Sequence, residues 1–210
     1  MVVSPPIRVI IADDHPVLRT GLRTALDPES TVEVVGEAGS YSQLSSLLQT
    51  VTADVVLLDL GGMGTPPITA VSALSRTHPK LAVIIFSSSL SGARELLKVG
   101  ASGYVAKEDF EDDIVAALHT VMDGRQFLSP TVQDYLERAG TVRKEHGLTP
   151  KEWEVLRAIA EGLGTREMTE HLALAEQTIR NYVRILYRKT GCTNRTQLVD
   201  WFRRYAARDQ

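Results

Sequence analysis

The sequence predicts an α/β domain followed by an all-α domain: an N-terminal doubly wound, five-stranded parallel sheet, then a helical unit containing a helix-turn-helix. Three observations predict it. Short β-branched runs alternate with amphipathic stretches as far as residue 123, strand signals stop after that point, and the charge changes sign between the halves. Residues 1–123 carry 8 Lys+Arg against 15 Asp+Glu, residues 124–210 carry 15 against 11, and within 176–210 basic residues outnumber acidic ones 8 to 3. An acidic half precedes a basic one whose positive charge gathers at the C-terminal end, as contact with phosphates requires. At 210 residues and 43% hydrophobic content, two packed cores are expected.

The elements follow in order. Runs 8–12, 32–37, 55–58, 83–86 and 103–106 are too continuously apolar for strands with one wet face, so they are predicted to form a parallel sheet covered on both sides. Segments 16–26, 41–49, 68–77, 92–99 and 110–123 have the length and period of the crossover helices. This gives a domain over 1–123. Residues 124–147, with Ser129-Pro130 and a charged run at Arg143-Lys144-Glu145, read as a linker carrying a partial helix. Thr149-Pro150-Lys151-Glu152 has the pattern of a capping box with Pro at the first helical position, and opens a domain over 148–210. Its later helices are expected at 165–172, 176–190 and 195–207.

Polar residues stand at the carboxyl ends of the expected strands: Asp13 and Asp14 after the first, Asp59 after the third, Ser87 after the fourth and Lys107 after the fifth. In a parallel sheet these ends share one edge, where ligands bind. Three converging carboxylates repel unless a cation neutralises them, and an all-oxygen donor set suits Mg²⁺. The stretches IIADDHP, VVLLDL and GASGYVAK, in this order and strand context, resemble the receiver domains of bacterial response regulators over about residues 7–123. The resemblance implies that Asp59 accepts a phosphoryl group. It also implies that Asp14 binds the metal directly, Asp13 largely through water and Gly61 through its carbonyl, and that Ser87 and Lys107 hold the phosphoryl oxygens. Tyr104 would rotate inward as Ser87 is drawn toward the new charge. His15 reads as a helix-start residue. The segment after the acceptor, Asp59-Leu60-Gly61-Gly62-Met63-Gly64-Thr65-Pro66-Pro67, departs from the Met-Pro-Gly-like turn usual in receivers.

In the C-terminal half, 167–172, the Ala173-Leu174-Ala175 turn and a helix from Glu176 form a helix-turn-helix pattern. Ile179, Val183 and Leu186 recur at helical spacing, while Arg180, Arg184 and Arg188 line the opposite side. An exposed Arg face on such a helix can enter the major groove, so Arg180, Asn181 and Arg184 are the candidates for base reading. LTPKEWEVLRAIAEGL, REMTEHLALAEQTIRNYVRILYRKTG and TNRTQLV resemble the LuxR-type effector domain over about 147–207, and the two halves together resemble response regulators of the NarL/FixJ family. That resemblance makes Thr178, Arg188, Lys189 and Arg195 candidates for DNA-backbone contacts. It further implies a sensor histidine kinase as phosphoryl donor, RNA polymerase as a partner, and an active homodimer. In such a dimer the helix bearing Leu198, Phe202 and the more exposed Trp201 and Tyr205 pairs with its twin. Ala175 stands where a Ser cap is usual and Tyr182 where His is common.

Other classes fit less well. No apolar stretch reaches the roughly 18 residues that cross a bilayer, so a cytoplasmic protein without a membrane partner is expected. The single cysteine, Cys192, permits no internal disulfide and reads as a small buried filler, and the Asn194-Arg195-Thr196 sequon reads as a chance match. A phosphatase using an Asp nucleophile would need a second acid two residues on; that position is Gly61, so the chain reads as a non-enzyme. The altered loop after Asp59 leaves one alternative open, an orphan regulator that binds DNA without phosphorylation and uses the sheet domain to dimerise.

Overall fold

The computed structural model describes residues 5–205, the side chains of 110–112 excepted. The first half alternates β1 (Ile7–Ala12), α1 (Pro16–Leu26), β2 (Val32–Ala38), α2 (Tyr41–Leu47), β3 (Val55–Leu58), α3 (Pro67–Thr77), β4 (Ala82–Ser87), α4 (Ala93–Lys98), β5 (Gly103–Ala106) and α5 (Phe110–Met122). The strands pair in parallel in the order β2-β1-β3-β4-β5, with a register irregularity between Val9 and Ile10. Helix-connected parallel strands have both faces covered, which is why β3, β4 and β5 carry almost no polar residues; the edge strand β2 instead keeps exposed Glu33 and Glu37. Val9, Ile11, Leu57, Ile84, Phe86 and Val105 pack with Leu22 and Leu26 of α1 and Ile114, Ala117 and Leu118 of α5. By the two-residue alternation of a strand, Ile10, Val56, Leu58, Ile85 and Tyr104 take the other face; they are buried too, as are Leu44, Val71, Leu74 and Leu96 of α2, α3 and α4. Each buried Val, Leu, Ile or Phe among them contributes about 1.5–3 kcal/mol when fully removed from water.

The sheet has six strands rather than five. β6 (Phe127–Leu128) pairs with Gly103 and Tyr104 of β5 at the edge. Two residues are too few to show a period, so the sequence carried no signal for it. The stretch expected as a linker with a partial helix thus begins with this strand and continues as a 16-residue helix, α6 (Pro130–Glu145). Ser129-Pro130 marks a helix start: Pro at the first position forfeits no bonded N–H, and the Gln133 N–H donates to the Ser129 carbonyl at 3.0 Å. The chain divides into two compact units between Gln133 and Asp134, inside α6.

The second unit holds the rest of α6 and four further helices: α7 (Pro150–Ala160), α8 (Thr165–Leu172), α9 (Glu176–Thr190) and α10 (Arg195–Tyr205). Its core contains Trp153, Leu156, Ile159, Met168, Ile179, Leu186, Leu198 and Phe202. The capping box at α7 is formed: the Glu152 N–H donates to Thr149 Oγ1 at 3.2 Å and the Thr149 N–H to Glu152 Oε2 at 2.8 Å. α8 ends on Ala173 at φ 51°, the one non-glycine residue with positive φ among those described. Ala175 then takes the extended geometry of a helix cap but, lacking a side-chain oxygen, supplies no cap bond. Trp201, expected to be more exposed, is 8% exposed, edge-on to the His146 ring; Tyr205 is 44% exposed. Cys192 is half-buried, its thiol donating to the Gln197 carbonyl.

Candidate functional site

Sheet register brings the acidic residues together. Ala12 of β1 lies opposite Leu58 of β3, so Asp13 and Asp59 leave the sheet side by side, and the Asp59 N–H donates to the Ala12 carbonyl at 2.8 Å. Ser87, the last residue of β4, lies opposite Ala106, the residue before Lys107. Asp13, Asp59 and Ser87 are buried. Lys107 Nζ bridges the two acids, 2.9 Å from Asp13 Oδ2 and 3.1 Å from Asp59 Oδ1. Burial pulls the Lys107 pKa down, but the hydrogen bonds and charges of Asp13 and Asp59 outweigh it, and the net shift is upward from 10.5. The ammonium is therefore charged at neutral pH.

Asp14 completes the cluster. Its Oδ1 is buried without a hydrogen bond, although His15 Nδ1 lies 2.7 Å away. Ligand atoms of Asp13, Asp14, His15 and Asp59 all fall within 4.8 Å of one another. A buried carboxylate oxygen that makes no well-aligned hydrogen bond is costly, and two further carboxylates beside it add repulsion that one ammonium does not cancel. A hard divalent cation relieves both, and the donor set fits one. Behind Asp14, the loop after Asp59 approaches so closely that a Cβ on Gly62 would stand 1.6 Å from Asp14 Oδ2, and Gly62 has φ 59°. The Gly61 N–H donates to Asp59 Oδ2 at 3.2 Å.

The serine run following β4 is bonded to Tyr104. The Ser89 N–H donates to Ser87 Oγ at 3.2 Å, and the Tyr104 hydroxyl donates to the Ser89 carbonyl. Ser89 thus connects the two residues expected to switch. The Tyr104 ring is already fully buried, so the inward rotation expected from the sequence has no distance left to travel in this conformation.

Sequence reasoning missed several residues here. His15, read as a helix start, does stand at the N-cap of α1, and its backbone N–H donates to Asp13 Oδ1 at 2.8 Å, but its ring also joins the acids. Arg19 donates to the Asp13 carbonyl at 2.6 Å while pairing with Glu37 at 3.3 Å. One turn of α1 separates it from His15, a spacing that could have pointed to it. Asp109 reaches a residue 22 positions on, through Thr131, and no local pattern announces that.

In the second unit, α9 buries Ile179 and Leu186 and exposes Arg180, Asn181, Arg184 and Arg188. Arg180 pairs with Glu176 at 2.5 Å, but both side chains are more than half exposed, so the pair holds the guanidinium weakly. Thr178 is half-buried near the start of α9. Two further candidates make contacts inside the unit. Lys189 Nζ lies 2.6 Å from Glu152 Oε2 and 2.8 Å from the Gly147 carbonyl, which engages it inside the unit. Arg195 donates to the Leu163 carbonyl, joining α10 to the connection between α7 and α8. The reason is angular: adjacent helical residues point about 100° apart, so Lys189 leaves the Arg face for α7.

Comparison with known proteins matches residues 9–119 to the response regulator receiver domain and residues 146–202 to the luxR family of bacterial regulatory proteins. The nitrate/nitrite response regulator protein NarL of Escherichia coli K12 is 30% identical over 204 residues, covering 93% of this chain and 94% of that one. The DNA-binding transcriptional activator DevR/DosR of Mycobacterium tuberculosis is 32% identical over 198 residues, 91% of each. Among solved structures, RcsB from Salmonella enterica serovar Typhimurium, bound to promoter P1flhDC with the phosphomimetic BeF₃⁻, aligns with TM-score 0.65 and 30% identity over 93% of this chain and 97% of that one. A structure of two RcsB dimers on two parallel DNAs aligns equally well, TM-score 0.65, over 94% and 98%. Sheet, acidic edge, helix-turn-helix and these relatives agree: the chain belongs to the NarL/FixJ family of response regulators, a receiver domain followed by a LuxR-type DNA-binding domain.

Proposed function

We propose that Asp59 accepts a phosphoryl group from a sensor histidine kinase and that the added charge changes how the second unit grips double-stranded DNA. The observation that carries this is the Lys107 ammonium shared between Asp13 and Asp59 next to the unbonded Asp14 oxygen. Asp13, Asp14 and Asp59, with the Gly61 carbonyl, would hold Mg²⁺, which when bound neutralises charge on the transferring phosphoryl oxygens. Lys107 supplies a second positive charge, and Asp59 attacks as a carboxylate without needing a base. Phosphorylation replaces one negative charge by nearly two and adds acceptors, which recruit Lys107 and the Ser87 hydroxyl. Turnover of substrate is no part of this role, because the Gly61 position offers no acid to expel the product.

On the DNA side, Arg180, Asn181 and Arg184 are assigned to base edges, with Arg188 and Thr178 on the backbone. Residues 1–123 act as the receiver, 124–147 as the connection and 148–210 as the DNA-binding domain. A homodimer on two half-sites follows from the two-fold relation usual for such domains, and RNA polymerase is the onward partner. The setting is cytoplasmic; no helix among the described residues is long and apolar enough to cross a membrane.

Operator affinity measured at fixed salt with and without BeF₃⁻ tests the reading. A 5- to 150-fold tightening, the range of ordinary coupling free energies, is expected in the wild type and none in Asp59→Asn. The inward position of Tyr104 favours a second reading, in which the receiver stands in a DNA-competent conformation without phosphorylation and serves to dimerise. Equal affinity of wild type and Asp59→Asn in every condition selects it.

A further inference from the structure

We infer that Asp109 and Ser129 are positioning residues that fasten the turn carrying Lys107 to the first turn of α6. Lys107–Asp109 forms a single 3₁₀ turn directly after β5. At its upstream end the Ala106 N–H donates to Ser129 Oγ at 3.0 Å, and Ser129 is fully buried. Downstream, the Asp109 carboxylate accepts the Thr131 N–H at 3.0 Å and the Thr131 hydroxyl at 2.8 Å. Both ends of a three-residue turn are thus tied to one three-residue segment, 129–131, where α6 begins.

The choice of partner is informative. Asp109 occupies the N-cap position of α5, yet its side chain makes no cap bond there. It crosses to α6 instead, where first-turn N–H groups lack intrahelical acceptors and a negative charge is favoured. Burial pushes the Asp109 carboxyl up, but the hydroxyls of Ser129 and Thr131 and the Thr131 N–H outweigh it and hold it below its ordinary value of 3.8. It is a carboxylate at neutral pH. A third tie comes from the Ser129 N–H, which donates to the Tyr104 carbonyl at 3.0 Å.

The consequence rests on Asp59 as phosphoacceptor. When Lys107 turns from Asp13 toward new oxygens on Asp59, the short turn that bears it has little slack, and the strain falls on the Ala106–Ser129 and Asp109–Thr131 bonds. Those bonds set the first turn of α6, whose residues from Asp134 onward belong to the second unit. The receiver would therefore signal through the residue pair 109/131 as well as through the serine run after β4.

The test uses full-length protein with Mg²⁺ and BeF₃⁻. A bound ¹⁹F resonance reports occupancy of the acceptor, and amide hydrogen exchange by NMR reports the Thr131 N–H. In the wild type, BeF₃⁻ should change Thr131 exchange by about fivefold or more, the lower end of usual coupling. In Asp109→Ala the Thr131 amide should exchange about tenfold faster, the scale of one charge-assisted hydrogen bond, and stop responding to saturating BeF₃⁻. Asp109→Asn, which keeps an acceptor oxygen, should recover part of both. A bound ¹⁹F signal with unchanged Thr131 exchange in the wild type overturns the latch alone. Absence of any bound ¹⁹F signal overturns the acceptor reading and the latch together.

Discussion

Replacing Lys189 by Met separates two roles that a cation near the C-terminus of α9 can play. As a backbone contact, Lys189 would neutralise one phosphate, and its loss would lower the slope of log K against log salt by about 0.9. As placed in the structure, it satisfies Glu152, whose side chain is 7% exposed, while its own is 27% exposed. Stripping one partner from a fully buried pair costs about 3–5 kcal/mol, and an exposed pair is worth at most about 1. Glu152 keeps the Thr149 N–H at 2.8 Å after the substitution, and Lys189 is partly wet, so the cost should fall between, at about 2 kcal/mol. For a unit of this size, about 4–8 °C accompanies each kcal/mol, so the melting transition of the DNA-binding unit should drop by about 8–16 °C. Calorimetry gives that shift; DNA titrations over a salt series, run well below the melting range, give the slope. An unmoved transition with a slope reduced by about 0.9 refutes the intramolecular role.

Other expectations follow from single features. Gly62→Ala drives a Cβ onto Asp14 Oδ2 from a left-handed backbone, and Mg²⁺ affinity measured by calorimetric titration should fall about 10- to 100-fold. Ala175→Ser supplies the missing cap of α9 and should stabilise the second unit by about 1 kcal/mol, seen as a higher denaturant midpoint at constant slope. Glu152 lies below its ordinary pKa of 4.5: burial raises it, but Lys189 and the Thr149 N–H lower it more. A depressed carboxylate stabilises the fold above its unfolded pKa and loses that contribution as pH falls through the folded value, so wild type should lose stability below about pH 4.5 by a step that Glu152→Gln lacks. Arg184→Ala should cost about 1–3 kcal/mol in specific binding and relax preference at one base pair.

Much of the first unit is legible because β3, β4 and β5 are nearly unmixed apolar runs, whereas the edge strand β2 mixes in Glu33 and Glu37. Residues 55–58 and 103–106 match β3 and β5 to the residue, and strand-end logic alone assembled Asp13, Asp59, Ser87 and Lys107. What stayed hidden depended on pairing or on side-chain reach. β6 exists because Gly103 and Tyr104 offer an open edge, not because Phe127-Leu128 has a pattern. The Arg face of α9 is visible from spacing, but spacing gives a direction and not a partner, so it does not reveal that Lys189 also meets Glu152 or that Arg195 also meets the Leu163 carbonyl. The burial of Trp201 is not readable from local spacing, because its neighbour His146 lies 55 positions away. The αL residue Ala173 gave no warning either, since alanine is a poor choice for that conformation.

The exposed guanidinium row of α9 also sets a ruler. From Arg180 to Arg188 the helix rises about 12 Å, at roughly 1.5 Å per residue. Stacked base pairs are spaced by about 3.4 Å, so this row spans no more than about four steps of a duplex. A recognition element longer than that must be assembled from more than one copy of the helix, and its length will report how many copies are engaged.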